Sequence, residues 1–139
     1  MNKIARVIDA NCNRTREGLR VIEEIARFFL DNKELFMLIK KLRHEFTGLE
    51  KDIRDQLSNP ILERNSESDV GKIFVESLES KRTDILSVAE SNCRRIEEAL
   101  RVLEEFLKLV DKSNVEKIKQ MRFNIYTIEK RLKDELAGK

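Results

Sequence analysis

The stretch VIDANCNRTREGLRVIEE at residues 7–24 is repeated at residues 88–105 as VAESNCRRIEEALRVLEE, and this repeat decides how the chain folds. Ten of the 18 aligned positions are identical, polar residues as well as apolar ones. A repeat that served packing alone would need to keep only its hydrophobic pattern. The retained asparagine, arginine and glutamate side chains therefore indicate a role beyond packing. The identical pairs are Val7/Val88, Asn11/Asn92, Cys12/Cys93, Arg14/Arg95, Glu17/Glu98, Leu19/Leu100, Arg20/Arg101, Val21/Val102, Glu23/Glu104 and Glu24/Glu105.

The repeat continues beyond this stretch. LRHEFTGLEKDIRDQL at residues 42–57 aligns with MRFNIYTIEKRLKDEL at residues 121–136, after a slip of two residues in register. One of the two inter-helix turns is therefore expected to be shorter than the other. Each copy of the repeat has room for two helices, so each is predicted to form one helical hairpin.

Hydrophobic residues in each copy recur with the alternating three- and four-residue spacing of an amphipathic helix. They predict four helices, each with one buried stripe. The stripes are Ile4, Ile8, Leu19, Ile22, Ala26 and Phe29 in the first helix, Leu35, Ile39, Leu42, Phe46, Leu49, Ile53 and Leu57 in the second, Ile85, Ala89, Leu100, Leu103 and Leu107 in the third, and Ile118, Met121, Ile125, Ile128, Leu132 and Leu136 in the fourth.

Turn and capping residues lie between these stripes. Asp31-Asn32 is expected to end the first helix. Thr83 is the expected N-cap of the third helix, with Asp84 in its first turn. Ser113-Asn-Val-Glu116 has the capping-box pattern that opens a helix, so it is expected to begin the fourth.

Residues 58–82 separate the two copies and contain the only proline of the chain. This segment is too long for a hairpin connection and must cross over the bundle. Such a long loop in a compact protein often carries function. We therefore predict one all-α domain over residues 1–139. It consists of two tandem helical hairpins, residues 1–57 and 83–139, related by a pseudo-twofold axis and joined by a long crossover.

The charge balance excludes several classes of protein. There are 28 basic and 26 acidic residues, a net charge of +2, so we expect no dedicated nucleic-acid face. No apolar run approaches the roughly 20 residues of a membrane span, and the N-terminal residues lack the apolar centre of a signal peptide. The two cysteines have no CxxC spacing. A cytoplasmic protein with reduced thiols is the simplest interpretation.

Asn11 and Asn92 lie in the middle of the apolar faces of the first and third helices, at equivalent positions. A buried amide costs a few kcal/mol unless its donors and acceptors are satisfied. One interpretation is that both amides hydrogen bond a ligand held by the bundle. The other is that they bond each other or a nearby backbone group and so determine how the helices pack.

Four arginines lie at the edges of these faces: Arg14, Arg95, Arg43 and Arg122. The guanidinium group presents a planar set of donors that suits phosphate, so together they could bind an anion. Each could instead pair with a nearby glutamate. The candidate partners are Glu17, Glu98, and the doublets Glu23-Glu24 and Glu104-Glu105.

Other titratable residues are less informative. A di-metal carboxylate site in a helical bundle needs two Glu-x-x-His motifs, and this chain has one histidine, His44. His44 is a candidate base or phosphate ligand, or an ordinary hydrogen-bonded histidine at the core boundary. Cys12 and Cys93 have no matched base and are predicted to be packing residues.

The crossover holds a further candidate set, Arg64, Asp69 and Gly71. Asp69 could bind Mg²⁺ or accept a proton, Gly71 allows close backbone approach, and Arg64 could meet a phosphate. A capped turn without chemistry explains the same residues equally well. The chain has neither a GxxxxGK[ST] nor a GxGxxG nucleotide motif.

Four separated segments of the chain resemble one family in the same order. They are RVIDANCNRTREGLRVIEE (6–24), LRHEF (42–46), Arg64 with Asp69-Val70-Gly71, and SNCRRIEEALRVLEEF (91–106). The family is that of small all-helical hydroxymethylpyrimidine-phosphate kinases, which occur alone or fused ahead of thiamine-phosphate synthase. The resemblance implies ATP-dependent phosphorylation of hydroxymethylpyrimidine monophosphate to the diphosphate, which the synthase then uses.

On this resemblance, Arg14, Arg95 and Arg43 are expected to clamp phosphates. Asn11 and Asn92 orient the substrate, with His44 and Gly71 as further binding residues. Asp69, helped by Glu17 or Glu98, would hold Mg²⁺ or orient the attacking oxygen, while Arg64 neutralises charge. ATP is the expected co-substrate, and a homodimer and an association with thiamine-phosphate synthase are the expected assemblies.

Two interpretations from other classes remain. The chain could be a helical adaptor or dimerisation module, with Val7, Val21 and Phe28 facing a partner because they lie off the main stripes. It could also bind a pyrimidine phosphate without turnover, in which case the ligand would raise its thermal stability.

Overall fold

The computed structural model describes residues 2–57, 71 and 82–138 of the 139-residue chain. All regular structure in these residues is helical, which confirms the predicted all-α class. The helices are α1 (Asn2–Glu24), α2 (Lys33–Gln56), α3 (Ile85–Val110) and α4 (Val115–Ala137). A π-helical turn, Ile25–Phe29, continues α1, and a 3₁₀ turn, Lys112–Asn114, precedes α4. Most of the predicted crossover lies outside the described residues.

Each copy of the repeat forms an antiparallel hairpin, as predicted. In the first copy, Arg54 pairs with Asp9 at 2.6 Å and Arg43 pairs with Glu23 at 2.7 Å. The partner number rises on α1 as the residue number falls on α2, so the two helices run in opposite directions. The second hairpin has the same order, with the ion pairs Arg122–Glu104 and Lys133–Glu90.

The two hairpins pack side by side, so that α1 and α3 form one layer and α2 and α4 form the second. The helix α3 packs extensively against both α1 and α4, while α2 and α4 contact each other much less. Arg131 pairs with Glu34 at 3.3 Å near one end of α2, and Asn114 donates to Asp52 at 2.8 Å near the other. These contacts make α2 and α4 antiparallel, so α1 and α3 are antiparallel as well. This order is the one expected of a pseudo-twofold axis between the hairpins.

The predicted stripes form one hydrophobic core. Every apolar position predicted on α2 and on α4 is buried, from Leu35 to Leu57 and from Ile118 to Leu136. The first helix departs at its C-terminal end, where Phe29 is 50% exposed. The π-helical turn adds a residue to that turn of helix, so Phe29 no longer follows the 100° spacing and leaves the stripe.

Two predicted helix starts differ from the structure. Asp84, not Thr83, caps α3: its side chain accepts from the Ser87 N–H, and Ser87 Oγ accepts from the Asp84 N–H. No capping box opens α4. Ser113 donates its hydroxyl to Asp111 Oδ1 at 2.6 Å, and Asn114, the residue at the N-cap, makes no side-chain hydrogen bond to the helix backbone.

The predicted end of the first helix is confirmed. Asp31 has a positive φ of 48°, and Asn32 caps α2 by accepting from the Leu35 N–H at 3.0 Å. Among the residues that the structure describes, no helix is long and apolar enough to span a bilayer.

Gly18 sets how closely α1 approaches α3. A Cβ at this position would lie 2.6 Å from Cγ1 of the fully buried Ile96. We expect Gly18→Ala to lower the free energy of unfolding by about 1–2 kcal/mol, because the strain of overpacking exceeds the gain in helix propensity. Urea denaturation followed by circular dichroism measures this change.

Gly48 provides the matched control, since a Cβ there meets no atom within 4 Å. Gly48→Ala should raise the free energy of unfolding by about 0.5–1 kcal/mol through helix propensity alone. Equal stabilisation by both substitutions would contradict the close approach of α1 and α3.

Candidate functional site

The repeated polar residues lie on one face of the α1–α3 layer. Arg14 lies about 180° around α1 from Glu23, and Glu23 pairs with α2, so Arg14 points away from the second layer. Arg14 and Glu17 are both exposed, as are their equivalents Arg95 and Glu98. A twofold axis perpendicular to the layer relates α1 to α3 without changing the side of the layer to which a side chain points. Both copies therefore point to the same side, which we term the outer face.

The helix register brings the two copies close together on the outer face. Gly18 lies beside Ile96 and the carbonyl oxygen of Asn92. In an antiparallel pair with this register, Arg14 lies level with Glu98, and Glu17 lies level with Arg95. The four side chains are thus within about one helical turn of each other along the helix axes. This packing brings two of the expected phosphate ligands, Arg14 and Arg95, to the same side of the layer as Glu17 and Glu98.

Arg14 and Arg95 differ from the other arginines on these helices. In the described part of the chain, neither has a carboxylate within ion-pair distance, and Arg14 instead donates to Asn11 Oδ1 at 3.3 Å. By contrast, Arg20 pairs with Glu23 and Arg101 pairs with Glu104. A guanidinium group without a carboxylate partner retains its donors for an anion.

Asn11 and Asn92 direct their amide groups to the backbone. Asn11 Nδ2 donates to the Val7 carbonyl and Asn92 Nδ2 donates to the Val88 carbonyl, both at 2.8 Å. The nearby-backbone interpretation therefore accounts for these donors. Asn11 is 4% exposed, and its Oδ1 accepts from Arg14, so Asn11 also positions that arginine.

Arg43 and Arg122 lie away from the outer face. Arg43 pairs with Glu23, whose side chain is 3% exposed, and Arg122 pairs in the same way with the equivalent Glu104. The structure thus gives these two arginines the carboxylate partners that the second interpretation proposed. It does not bring Arg43 together with Arg14 and Arg95.

His44 lies on the opposite side of the protein. It is exposed and lines a cleft of about 580 Å³ between α2 and α4, at the place where these helices separate. The cleft is bordered by Asp52, Lys117, Gln120, Met121 and Asn124. His44 therefore does not join the outer face.

The crossover candidates cannot be placed in the site. Arg64 and Asp69 lie outside the described residues, so the role of Asp69 as a Mg²⁺ ligand stays a prediction. Gly71 lies in an exposed turn. Within the described residues, no group of three or more histidine, cysteine, aspartate and glutamate side chains could hold a metal ion.

The cysteines are packing residues, as predicted. Cys12 and Cys93 are fully buried and reduced. Burial is the main cause that raises the pKa of each thiol to about 12, so neither is a thiolate at neutral pH.

Charged side chains lie between the two helices of each hairpin, and the hydrophobic and repeat patterns did not predict them. In the first hairpin, Glu50 accepts hydrogen bonds from both Arg16 and Arg54, and Arg54 also donates to Asp9. In the second hairpin, the position equivalent to Arg16 is Glu97. The reversal of charge between these aligned positions is the sequence feature that could have indicated the interface.

Comparisons with known proteins agree on one family. A model described as the ThiD2 family matches residues 6–131. Curated relatives named thiamine-phosphate synthase include those of Synechocystis sp., 41% identical over 126 residues, and Nostoc punctiforme, 40% identical over 131 residues. The relative from Rhodopirellula baltica is 35% identical over 136 residues.

These alignments cover 91%, 93% and 97% of this chain but only 35%, 35% and 36% of the relatives. The chain thus spans about a third of the length of the curated relatives it matches. No solved structure matches it.

Proposed function

This chain belongs to the ThiD2 family, and from this premise we propose that it is a kinase of thiamine biosynthesis. It would phosphorylate hydroxymethylpyrimidine monophosphate to the diphosphate with ATP. The relatives are named for thiamine-phosphate synthase, and this chain matches only a third of their length. A domain that makes the diphosphate would supply the substrate that the synthase consumes. The matched third is proposed to be that domain.

The observation that carries the proposal is the pair Arg14 and Arg95 on the outer face. Both are exposed, both lack a carboxylate partner among the described residues, and the helix register places them near the pseudo-twofold axis. A kinase that joins two phosphorylated substrates must hold several negative charges close together. Two unpaired guanidinium groups at one place supply positive charge for that purpose.

The proposed reaction forms one bond and breaks one. An oxygen of the pyrimidine monophosphate attacks the γ-phosphorus of ATP, the bond from that phosphorus to the β-phosphate oxygen breaks, and ADP leaves. The nucleophile belongs to the substrate, so the protein needs no covalent nucleophile. Phosphoryl transfer depends mainly on positioning and charge stabilisation, so a helical protein without a Walker loop can perform it.

The outer face suggests a role for each side chain. Arg14 and Arg95 bind phosphate oxygens, one from each half of the repeat. Asn11 orients Arg14 through its 3.3 Å hydrogen bond. Glu17 and Glu98 lie beside the arginines and would contact the substrate or its associated cation.

The remaining roles stay predictions. Mg²⁺ would enter with ATP and neutralise part of the charge on its phosphates. Asp69, Arg64 and Gly71 of the crossover keep their predicted roles, and so do the association with thiamine-phosphate synthase and a homodimer.

The purified protein should convert hydroxymethylpyrimidine monophosphate to the diphosphate when mixed with ATP and Mg²⁺. We expect one ADP for each diphosphate formed, detected by ³¹P NMR and anion-exchange chromatography. The unphosphorylated alcohol serves as the control acceptor. Absence of diphosphate with Mg²⁺, Mn²⁺ and Co²⁺ would refute the kinase.

A second candidate, an interaction module without catalysis, is favoured by one pair of residues. Phe28 is 64% exposed and Leu109, at the equivalent position of the second copy, is 68% exposed. Binding of the pyrimidine monophosphate without turnover would instead support a non-catalytic binder. Thermal stabilisation by that ligand, measured in the same samples, separates this outcome from no binding at all.

A further inference from the structure

The two hairpins carry different charged residues at equivalent positions between their helices. In the first, Arg16 Nη1 donates to both oxygens of Glu50, at 2.8 and 2.6 Å, and so joins α1 to α2. The repeat places Glu97 at the position of Arg16, and Glu129 at the position of Glu50. The second hairpin therefore has two carboxyl groups where the first has a cation and a carboxylate.

Among the described residues, none donates a hydrogen bond to the buried Oε2 of Glu97. The residue is only 8% exposed, and this oxygen has almost no access to solvent. Its carboxyl group lies near enough to that of Glu129 on α4 for the two to share a hydrogen bond. Two ionised carboxylates are both acceptors, so they can form this bond only if a proton lies between them.

Acidic residues outnumber basic residues around Glu97, so one bound proton would reduce the net negative charge there. Arg94 and Glu98 on α3 act on Glu97, and Lys133 on α4 lies 4.0 Å from Glu90 of α3. On α1, which packs on the other side of α3, Ile96 meets the uncharged Gly18. The four acids Glu90, Glu97, Glu98 and Glu129 thus outnumber the two cations Arg94 and Lys133.

We propose that Glu97 and Glu129 share one proton at neutral pH, and that this proton joins α3 to α4 as the Arg16 guanidinium joins α1 to α2. The pair is a proton-dependent contact built into one hairpin only. Loss of the proton would place two negative charges side by side at a site where Glu97 has little access to water. The second hairpin would then loosen at alkaline pH, while the first would not.

The direction of the pKa of Glu97 agrees with this proposal. Burial first, and then the hydrogen bond and negative charge of Glu129, raise the pKa of Glu97 from 4.5 to about 8. The folded protein therefore holds a proton that the unfolded chain releases above about pH 4.5. Stability from this group is full below that pH and is lost as the pH rises through about 8.

Thermal denaturation of the full chain across pH 6–9 tests the proposal. We expect the Tm of the wild type to fall by about 9 °C over this range. Glu97→Gln should remove most of the fall, because an amide donates to Glu129 as the protonated acid does but does not ionise. Glu97→Arg, which copies the contact of the first hairpin, should also give a flat profile.

Arg16→Glu is the reciprocal variant and should give the first hairpin a similar fall in Tm. If that variant does not fold, the comparison of wild type with Glu97→Gln still decides. ¹³C NMR of glutamate side chains should show one carboxyl group, absent in Glu97→Gln, that titrates above pH 7. A wild-type Tm that is constant from pH 6 to 9, or an equal fall in Glu97→Gln, would overturn the proposal. Neither result bears on the kinase.

Discussion

Replacing Arg14 or Arg95 with alanine should lower kcat/KM for diphosphate formation by about 100-fold or more, with helix content unchanged. Removing one preorganised donor that stabilises transition-state charge typically costs about this factor. Both side chains are exposed and lack carboxylate partners among the described residues, so their loss leaves no buried charge behind. Steady-state kinetics with the pyrimidine monophosphate and ATP, alongside circular dichroism, measures the two effects separately.

The chain offers a matched control for this prediction. Arg20 and Arg101 are equivalent residues on the same two helices, with 56% and 54% of their side chains exposed, but each pairs with a glutamate. Arg20→Ala and Arg101→Ala should change kcat/KM by less than about threefold. Lysine at position 14 or 95 should recover only part of the activity, because it keeps the charge without the planar set of donors. Near-normal kinetics in both Arg14→Ala and Arg95→Ala would refute the phosphate clamp.

Replacing Arg43 or Arg122 with alanine should instead destabilise the protein by about 3 kcal/mol. Arg43 and Arg122 pair with Glu23 and Glu104, whose side chains are each only 3% exposed. Removal of the arginine leaves a carboxylate with little access to water and only the more exposed Arg20 or Arg101 as its partner. This is more costly than the loss of a surface pair. Urea denaturation at pH 7 gives the free energy of unfolding for each variant.

Two controls distinguish this mechanism from a general loss of packing. Lys108 pairs with Glu105 on the surface of α3, and Lys108→Ala should destabilise the protein far less than Arg43→Ala does. Adding Glu23→Gln to Arg43→Ala should restore part of the lost stability, because the neutral amide removes a buried charge that Arg20 alone neutralises. If Arg43→Ala proved as stable as the wild type but lost activity, Arg43 would belong to the phosphate site after all.

The helices and their buried stripes could be predicted closely because helical burial is a local property of sequence. The stripe of α2 from Leu35 to Leu57 and that of α4 from Ile118 to Leu136 are buried at every predicted position. The prediction failed where local geometry departs from the regular helix. The π-helical turn turns Phe29 outward, and the 3₁₀ turn leaves α4 without the expected capping box.

The candidate site was only partly predictable. The repeat identified Arg14, Arg95, Glu17 and Glu98, and the two-layer packing assembles them on one face. The sequence left open whether the Asn11 and Asn92 amides bond a ligand, each other or the nearby backbone, and in the structure they donate to the backbone one turn away. Nor did it distinguish Arg43, which is held by Glu23, from the arginines that have no carboxylate partner among the described residues.

What the sequence alone determined was the number of helices, their pairing into hairpins and the face that each buries, because the spacing of apolar residues is read within one helix. What only the tertiary structure decided was the partner of each charged side chain. Arg43 meets Glu23, 20 residues away, and Arg16 meets Glu50, 34 residues away. Electrostatic pairing depends on side chains that packing brings within a few ångströms, and aligned positions of a repeat can carry opposite charges there, as Arg16 and Glu97 do.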